Sequence, residues 1–170
     1  MKKAIFTFGL LLFLGAGVNA QSIKIGHVDS HAVIQAMPEL AQAQETLQAH
    51  AKELEDAMAE MQREFQTKYQ DYQAKYETLS AVLKQSREEE LQDIQKRVEQ
   101  FRITAQQELQ NKELELQEPI ITKVQKAIED VGKENNFTYI LDGTPGQGIL
   151  YKSPSSVDVT ALVKKKLGIQ

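Results

Sequence analysis

The sequence predicts an α+β protein, mostly α. A long antiparallel coiled-coil helical hairpin projects from a small β-rich head formed by both termini. Three observations carry this prediction. Gly26 and Gly132 bracket 105 residues without a glycine, and Pro38 and Pro119 bracket 80 without a proline. A compact domain needs a turn roughly every dozen residues, and turns favour Gly, Pro, Asn and Asp. Within the unpunctuated stretch, apolar residues recur every seven positions. Outside it lie short runs rich in strand-forming residues.

The first element is a targeting segment. Lys2 and Lys3 precede an apolar run from Ile5 to Val18, and Val18-Asn19-Ala20 places small residues where a signal peptidase reads. Residues 1–20 are expected to be a signal peptide cleaved after Ala20. The run is shorter than the ~20 apolar residues that span a bilayer. The mature chain then divides into a head, residues 21–37 and 120–170, and an arm, residues 38–119, with its tip near 80–86.

Ser22 to Val28 alternates apolar and polar residues and reads as a strand. Asp29 can cap a short helix from His31 to Met37, and Pro38 interrupts that helix. Pro38 suits the first turn of the next helix, where its missing N–H is not needed.

Leu40, Leu47, Leu54 and Met61 then recur every seven residues, with Ala51, Met58, Phe65, Tyr72 and Leu79 as a second series offset by four. Together they make a coiled-coil seam. The doubled four-residue step at Phe65–Tyr69 is a stutter. A second seam, Leu91, Ile94, Val98, Phe101, Ala105 and Leu109, doubles its four at Phe101–Ala105–Leu109. Folding about residue 85 sets Phe65 against Ala105, Tyr69 against Phe101 and Met61 against Leu109, so the two stutters face each other. Ser86-Arg87-Glu88-Glu89 reads as a capping box for the descending helix. Arms of about forty residues reach roughly 60 Å.

Pro119 sits inside the descending helix, which should kink there yet continue through Ile120, Val124, Ile128 and Val131. Gly132 to Asn136 ends it. Phe137 to Leu141 and Gly148 to Lys152 read as two strands, joined by Asp142 to Gln147 as a hairpin loop. Asp158 starts a last amphipathic helix with three lysines, Lys164 to Lys166, in its final turn. Ile23, Ile25, Val28, Ile140, Leu150 and Leu162 are the residues expected to build the head core and its contact with further copies. A head this small is marginal alone and leaves strand edges exposed, so a homo-oligomer is expected.

The chemistry is narrowed by what is missing. Without cysteine there is no disulfide scaffold, thiol nucleophile or Cys-ligated zinc. Gly143, Gly146 and Gly148 lack the Lys-Ser/Thr ending of a phosphate loop, and no Gly-x-Ser-x-Gly or His-Glu-x-x-His occurs. His27, Asp29 and His31 straddle a strand-to-helix junction and fit capping and surface roles better than a metal site. Asn136-Phe137-Thr138 matches the common glycosylation tripeptide. No enzyme and no cofactor are expected. Past residue 20 the chain carries 18 basic and 24 acidic residues, and residues 39–135 hold 13 against 21. Nucleic acid binding needs clustered positive charge, so it is not expected.

The arms hold the candidate binding residues: Met58, Met61, Phe65, Tyr69, Tyr72, Tyr76, Leu79, Leu83 and Phe101. Met and Tyr make adaptable contacts with partners of variable sequence. Met58, Met61, Phe65 and Tyr72 also suit the seam, whereas Tyr69 and Tyr76 flank or follow the stutter and should be partly exposed. The acidic residues are mainly a solvated face, with a secondary role in attracting positive clients.

The order of parts, with Ile25-Gly26-His27-Val28-Asp29 near the start, Pro119-Ile120, Ile128 and Phe137 to Asp142 around the junction, and Val159 to Lys164 at the end, resembles the Skp (OmpH-like) periplasmic chaperone family. The resemblance covers the whole mature chain. It implies a homotrimer with a β-rich body and three hairpin tentacles around a cavity. It also implies ATP-independent holding of unfolded outer-membrane β-barrel proteins in the periplasm before insertion. Well-known members are basic, and their charge is linked to membrane or lipopolysaccharide contact. The acidic mature chain departs from this, which counts against such contact here. The alternative is a coiled-coil structural or adaptor protein of the cell envelope.

Overall fold

The computed structural model describes residues 23–169. The expected signal peptide and its cleavage after Ala20 lie outside the described residues. The chain runs β1 (Ile25–Val28), α1 (Ser30–Gln35), α2 (Pro38–Lys75), a 3₁₀ turn (Tyr76–Thr78), α3 (Ala81–Glu134), β2 (Tyr139–Asp142), β3 (Val157–Asp158) and α4 (Thr160–Leu167). The fold is mostly helical with a small strand region, as expected.

The head forms where both chain ends meet the base of the helices. Asp29 caps α1, its Oδ1 accepting from the Ala32 N–H at 2.8 Å. Met37 is extended, as a residue before proline must be, and Pro38 opens α2 at its first position. The core combines Val28, Val33 and Met37 with Ile120, Val124, Ala127 and Val131 of α3 and with Val159 and Val163 near the C-terminus. The α3 members are spaced 4-3-4, a single helical stripe. A Schellman motif ends α3. Asn136 is left-handed at φ 55°, and the Phe137 N–H bonds back to the Gly132 carbonyl at 3.0 Å. Gly26 is required by close approach, since a Cβ there would sit 2.9 Å from the Phe137 ring.

The sheet has the order β2-β1-β3, and both pairings are parallel. This corrects the hairpin expected between 137–141 and 148–152. Parallel neighbours need a crossover rather than a tight turn. Residues 148–152 pair with nothing, and Leu150 is fully exposed. Their strand-forming composition describes a surface they do not occupy. The third strand is Val157–Asp158, on the far side of β1.

Of the six expected head-core residues, Val28 is buried and Ile140 packs on the margin of the core. Ile23, Ile25, Leu150 and Leu162 are exposed on the single chain. Ile23 precedes β1, and Leu150 lies in the loop. Ile25 pairs with exposed Tyr139 on the sheet face turned away from the helices. On α4 the buried position is Val163, with Leu167 half-buried one turn on, and Leu162 points about 100° away from that stripe.

The arms differ from expectation in register. Glu39–Lys123, His50–Glu108, Glu64–Arg97, Lys68–Glu90 and Tyr72–Glu88 join α2 to α3, and their midpoints fall between residues 79 and 81. The expected axis at residue 85 is therefore displaced, and with it the pairs Phe65–Ala105, Tyr69–Phe101 and Met61–Leu109. Partners shift by about ten residues, seven plus three, which keeps apolar positions on the seam. Periodicity alone accepts both registers. In the observed one the Phe65–Tyr69 stutter stands opposite Leu91 and Ile94, both buried, and the two stutters do not face each other.

The reversal itself spans Tyr76 to Ser80. Leu79 and Ser80 are extended, and Ser80 Oγ accepts from the Leu83 N–H at 3.4 Å as the cap of α3. Ser86 lies inside α3, so the expected capping box does not form. Glu89 instead accepts from the Gln85 side chain at 3.0 Å. Helix α3 continues through Pro119 to Glu134.

Candidate functional site

The two arms carry the candidate site. Each is an amphipathic helix of modest stripe width, and a two-helix seam covers only one side of each. In α2 no residue is fully buried. Met58, Met61, Phe65, Tyr72 and Leu79 are half-buried, as is Phe101 of α3. Tyr69 and Tyr76 are each 42% exposed, and Leu83 is exposed beyond the reversal. The candidate residues thus divide into six that line the seam and three that face outward.

Aromatic side chains form two pairs along α2 and the 3₁₀ turn that follows it. Phe65 and Tyr69 stack with centroids 6.0 Å apart. Tyr72 and Tyr76 meet edge-on at 5.4 Å. Both pairs are four residues apart, one helical turn. Lys84 covers the Tyr76 ring at 3.8 Å, a cation–π contact across the reversal. The Tyr72 hydroxyl donates to Glu88 Oε1 at 2.5 Å. That bond and the carboxylate's charge push the Tyr72 hydroxyl up to about 12. Hydrogen bonds from Lys68 and then Arg87 hold the Glu90 carboxyl below its usual value. Hydrogen bonding by Lys123 does the same for Glu39 at the arm base.

Sequence reasoning missed four outward apolar residues of α3. Val82, at 78% exposure, stands beside Leu83 at the tip. Ile103, Leu114 and Ile121 are exposed along the shaft. Each lies off the Leu91–Ile94–Val98 seam, and an apolar residue off the seam is the signal that could have found them. At the arm base Ala43, Leu116, Pro119 and Ile120 line an open groove of about 390 Å³.

The head contributes a buried histidine that was expected at the surface. His27 is 5% exposed. Its Nε2 lies 3.2 Å from Lys152 Nζ and 3.5 Å from Asp158 Oδ2, and its Nδ1 lies 2.8 Å from Ser156 Oγ. Burial pushes the Asp158 carboxyl up, but hydrogen bonds from Thr160 and the charges of His27 and Lys152 leave it lowered. These contacts fasten the loop between β2 and β3 to the central strand. Asp29 is committed to capping α1. Among the described residues no three His, Cys, Asp or Glu side chains are grouped to hold a metal ion, and no helix is long and apolar enough to cross a membrane.

The arrangement offers long, half-covered helices with aromatic and aliphatic side chains spaced along them, and a compact base. It supplies extended contact rather than an enclosed reaction site. No curated protein matches the chain significantly. A family model described as "Outer membrane protein (OmpH-like)" matches residues 24–167, which include the head and both arms. The chain belongs to the OmpH-like family.

Proposed function

We propose that this protein is an ATP-independent periplasmic holdase. It binds unfolded outer-membrane β-barrel proteins between its arms and keeps them from aggregating before insertion. Family membership supports a chaperone-like role toward outer-membrane proteins. The observation that carries the finer reading is the outward set Tyr69, Tyr76, Val82 and Leu83, continued along α3 by Ile103 and Leu114. Such contacts are individually weak and widely spaced. Many of them acting together give avidity, while each can still let go. No enzymatic step and no nucleotide enter this scheme.

The holdase acts as a homo-oligomer, a trimer by family resemblance. Ile25, Tyr139 and Leu141 lie next to one another on the exposed face of the sheet, in the register Ile25–Tyr139 and His27–Leu141. An apolar sheet face of this kind favours burial against further copies. In a trimer, three hairpins would bound one cavity, and the seam and outward residues named above would be its client contacts. Acidic arms speak against membrane or lipopolysaccharide contact. The decisive experiment dilutes a urea-unfolded β-barrel protein into purified mature protein. Suppressed aggregation, saturating at three chains per client, is expected.

A second reading is favoured by the tip, where Val82 and Leu83 are exposed together. An adaptor would dock through such a point on one folded envelope protein. Val82→Ser with Leu83→Ser separates the two. A holdase keeps most of its aggregation suppression, whereas an adaptor loses its partner.

A further inference from the structure

We propose that the arms select unfolded clients of net positive charge. This inference rests on the holdase reading and adds the chemical class of client. Residues 38–119 carry 18 Asp and Glu against 10 Lys and Arg. The imbalance is greater in effect than in number, because the cations are already engaged. Eight of the ten lie within 3.5 Å of a carboxylate of the same hairpin. A ninth, Lys84, is held over the Tyr76 ring. The engaged cations share seven carboxylates, since Lys68 and Arg87 both use Glu90. Glu39 is taken by Lys123. Ten carboxylates therefore have no Lys or Arg partner among the described residues. Glu45, Glu55, Glu60, Glu77, Glu89 and Glu118 are among them, spread from arm base to tip.

A client segment approaching the arms meets two kinds of surface. Tyr69, Tyr76, Val82 and Leu83 attract apolar side chains regardless of the segment's charge. The unpaired carboxylates do discriminate. A client Lys or Arg gains a partner without displacing one. A client Asp or Glu finds nearly every arm cation occupied and is repelled by the surplus. The Debye length at physiological salt is about 8 Å, so the effect acts at contact range along the whole hairpin rather than at one point. Fields of this kind change association rates by roughly 10–10³-fold.

The test uses the full mature oligomer and one urea-unfolded β-barrel polypeptide in two chemically modified forms. In one, carboxyl groups are amidated to leave net positive charge. In the other, lysines are succinylated to leave net negative charge. At low ionic strength the amidated form should bind at least about tenfold more tightly, and the gap should close as salt screens the arms. Combining Glu45→Lys, Glu55→Lys, Glu60→Lys and Glu118→Lys should erase or reverse the preference, with helicity by circular dichroism unchanged. Equal affinity for the two forms, or preference for the succinylated one, overturns the inference and leaves the holdase reading standing. Failure to bind either modified form also overturns it. If the unmodified client then aggregates unprotected as well, the holdase reading falls with it.

Discussion

Head and arms are held together by different means. In the head, nine buried residues from β1, α1 and its junction with α2, the base of α3, and α4 with the residue before it converge on one small core. The strands that meet there are more than a hundred residues apart in sequence. In the arms each residue packs on one facing helix, and stability is spread along a half-buried seam crossed by ion pairs. The head concentrates its stabilisation, and one lesion should reach all of it. The arms distribute theirs, so a lesion should stay local. That difference suits a base that must stay closed and arms that must accommodate varied clients.

The largest test of this contrast is Val163→Asp. Val163 is fully buried, and an unpaired carboxylate there should destabilise the head by on the order of 3–5 kcal/mol. Chemical denaturation should show loss of the head while much of the far-ultraviolet helical signal persists. Ile94→Ala removes the most buried side chain of the arm, 1% exposed, for about 2–4 kcal/mol. Faster hydrogen exchange should be confined to the facing segments near residues 65–69 and 91–98, with head amides unchanged. A head that loosens as well would merge the two regions into one cooperative unit.

Acid should act on both regions, since burial pushes the Asp142 and Asp158 carboxyls of the head up but hydrogen bonds leave them lowered. Hydrogen bonds with Lys or Arg lower the carboxyls of Glu39, Glu90, Glu99 and Glu129. Groups shifted this way contribute fully above their unfolded value of about 4.5, and that contribution is lost as pH falls through the folded values. Thermal melts should weaken on acidification below that point, and Glu90→Gln should reduce the slope. Tyr72 has the opposite sign. Its contribution is complete below about pH 10 and is lost as pH rises through about 12. The smallest effect belongs to the cap. Ser80→Ala should cost about 0.5 kcal/mol, the low end for a cap because its bond is 3.4 Å long. Ser86→Ala, inside α3, should be nearly silent in the same denaturation curves.

The parts of this fold that depend on neighbours in sequence were readable from it. The Asp29 cap, the Pro38 helix start, the α3 seam from Leu91 to Leu109 and a strand through Tyr139 to Leu141, which starts and ends slightly later than expected, all follow from local pattern. What depends on distant partners was not. The register could slide by ten residues because the seam remains apolar in both positions. Gly148 to Lys152 has strand-forming composition, but β1 takes Val157–Asp158 as its neighbour instead. Ser86-x-x-Glu89 matches a cap, yet the chain turns six residues earlier, where Ser80 also fits. Within the candidate site, exposure of Tyr69 and Tyr76 follows from the stutter. Exposure of Val82 and Leu114 depends on where the turn falls and on which flank the partner helix leaves open.

The parallel sheet also sets the order in which the molecule can be completed. Strand β1 is made first yet occupies the centre, and its two neighbours come from the final thirty-odd residues. As the chain emerges N-terminus first, α2 and most of α3 can zip together while β1 still lacks both partners. Closure of the head must wait until Val157–Asp158 and α4 are available. A chain truncated before Val157 would carry finished arms on an open base, with β1 short of one strand partner and the core short of Val159 and Val163.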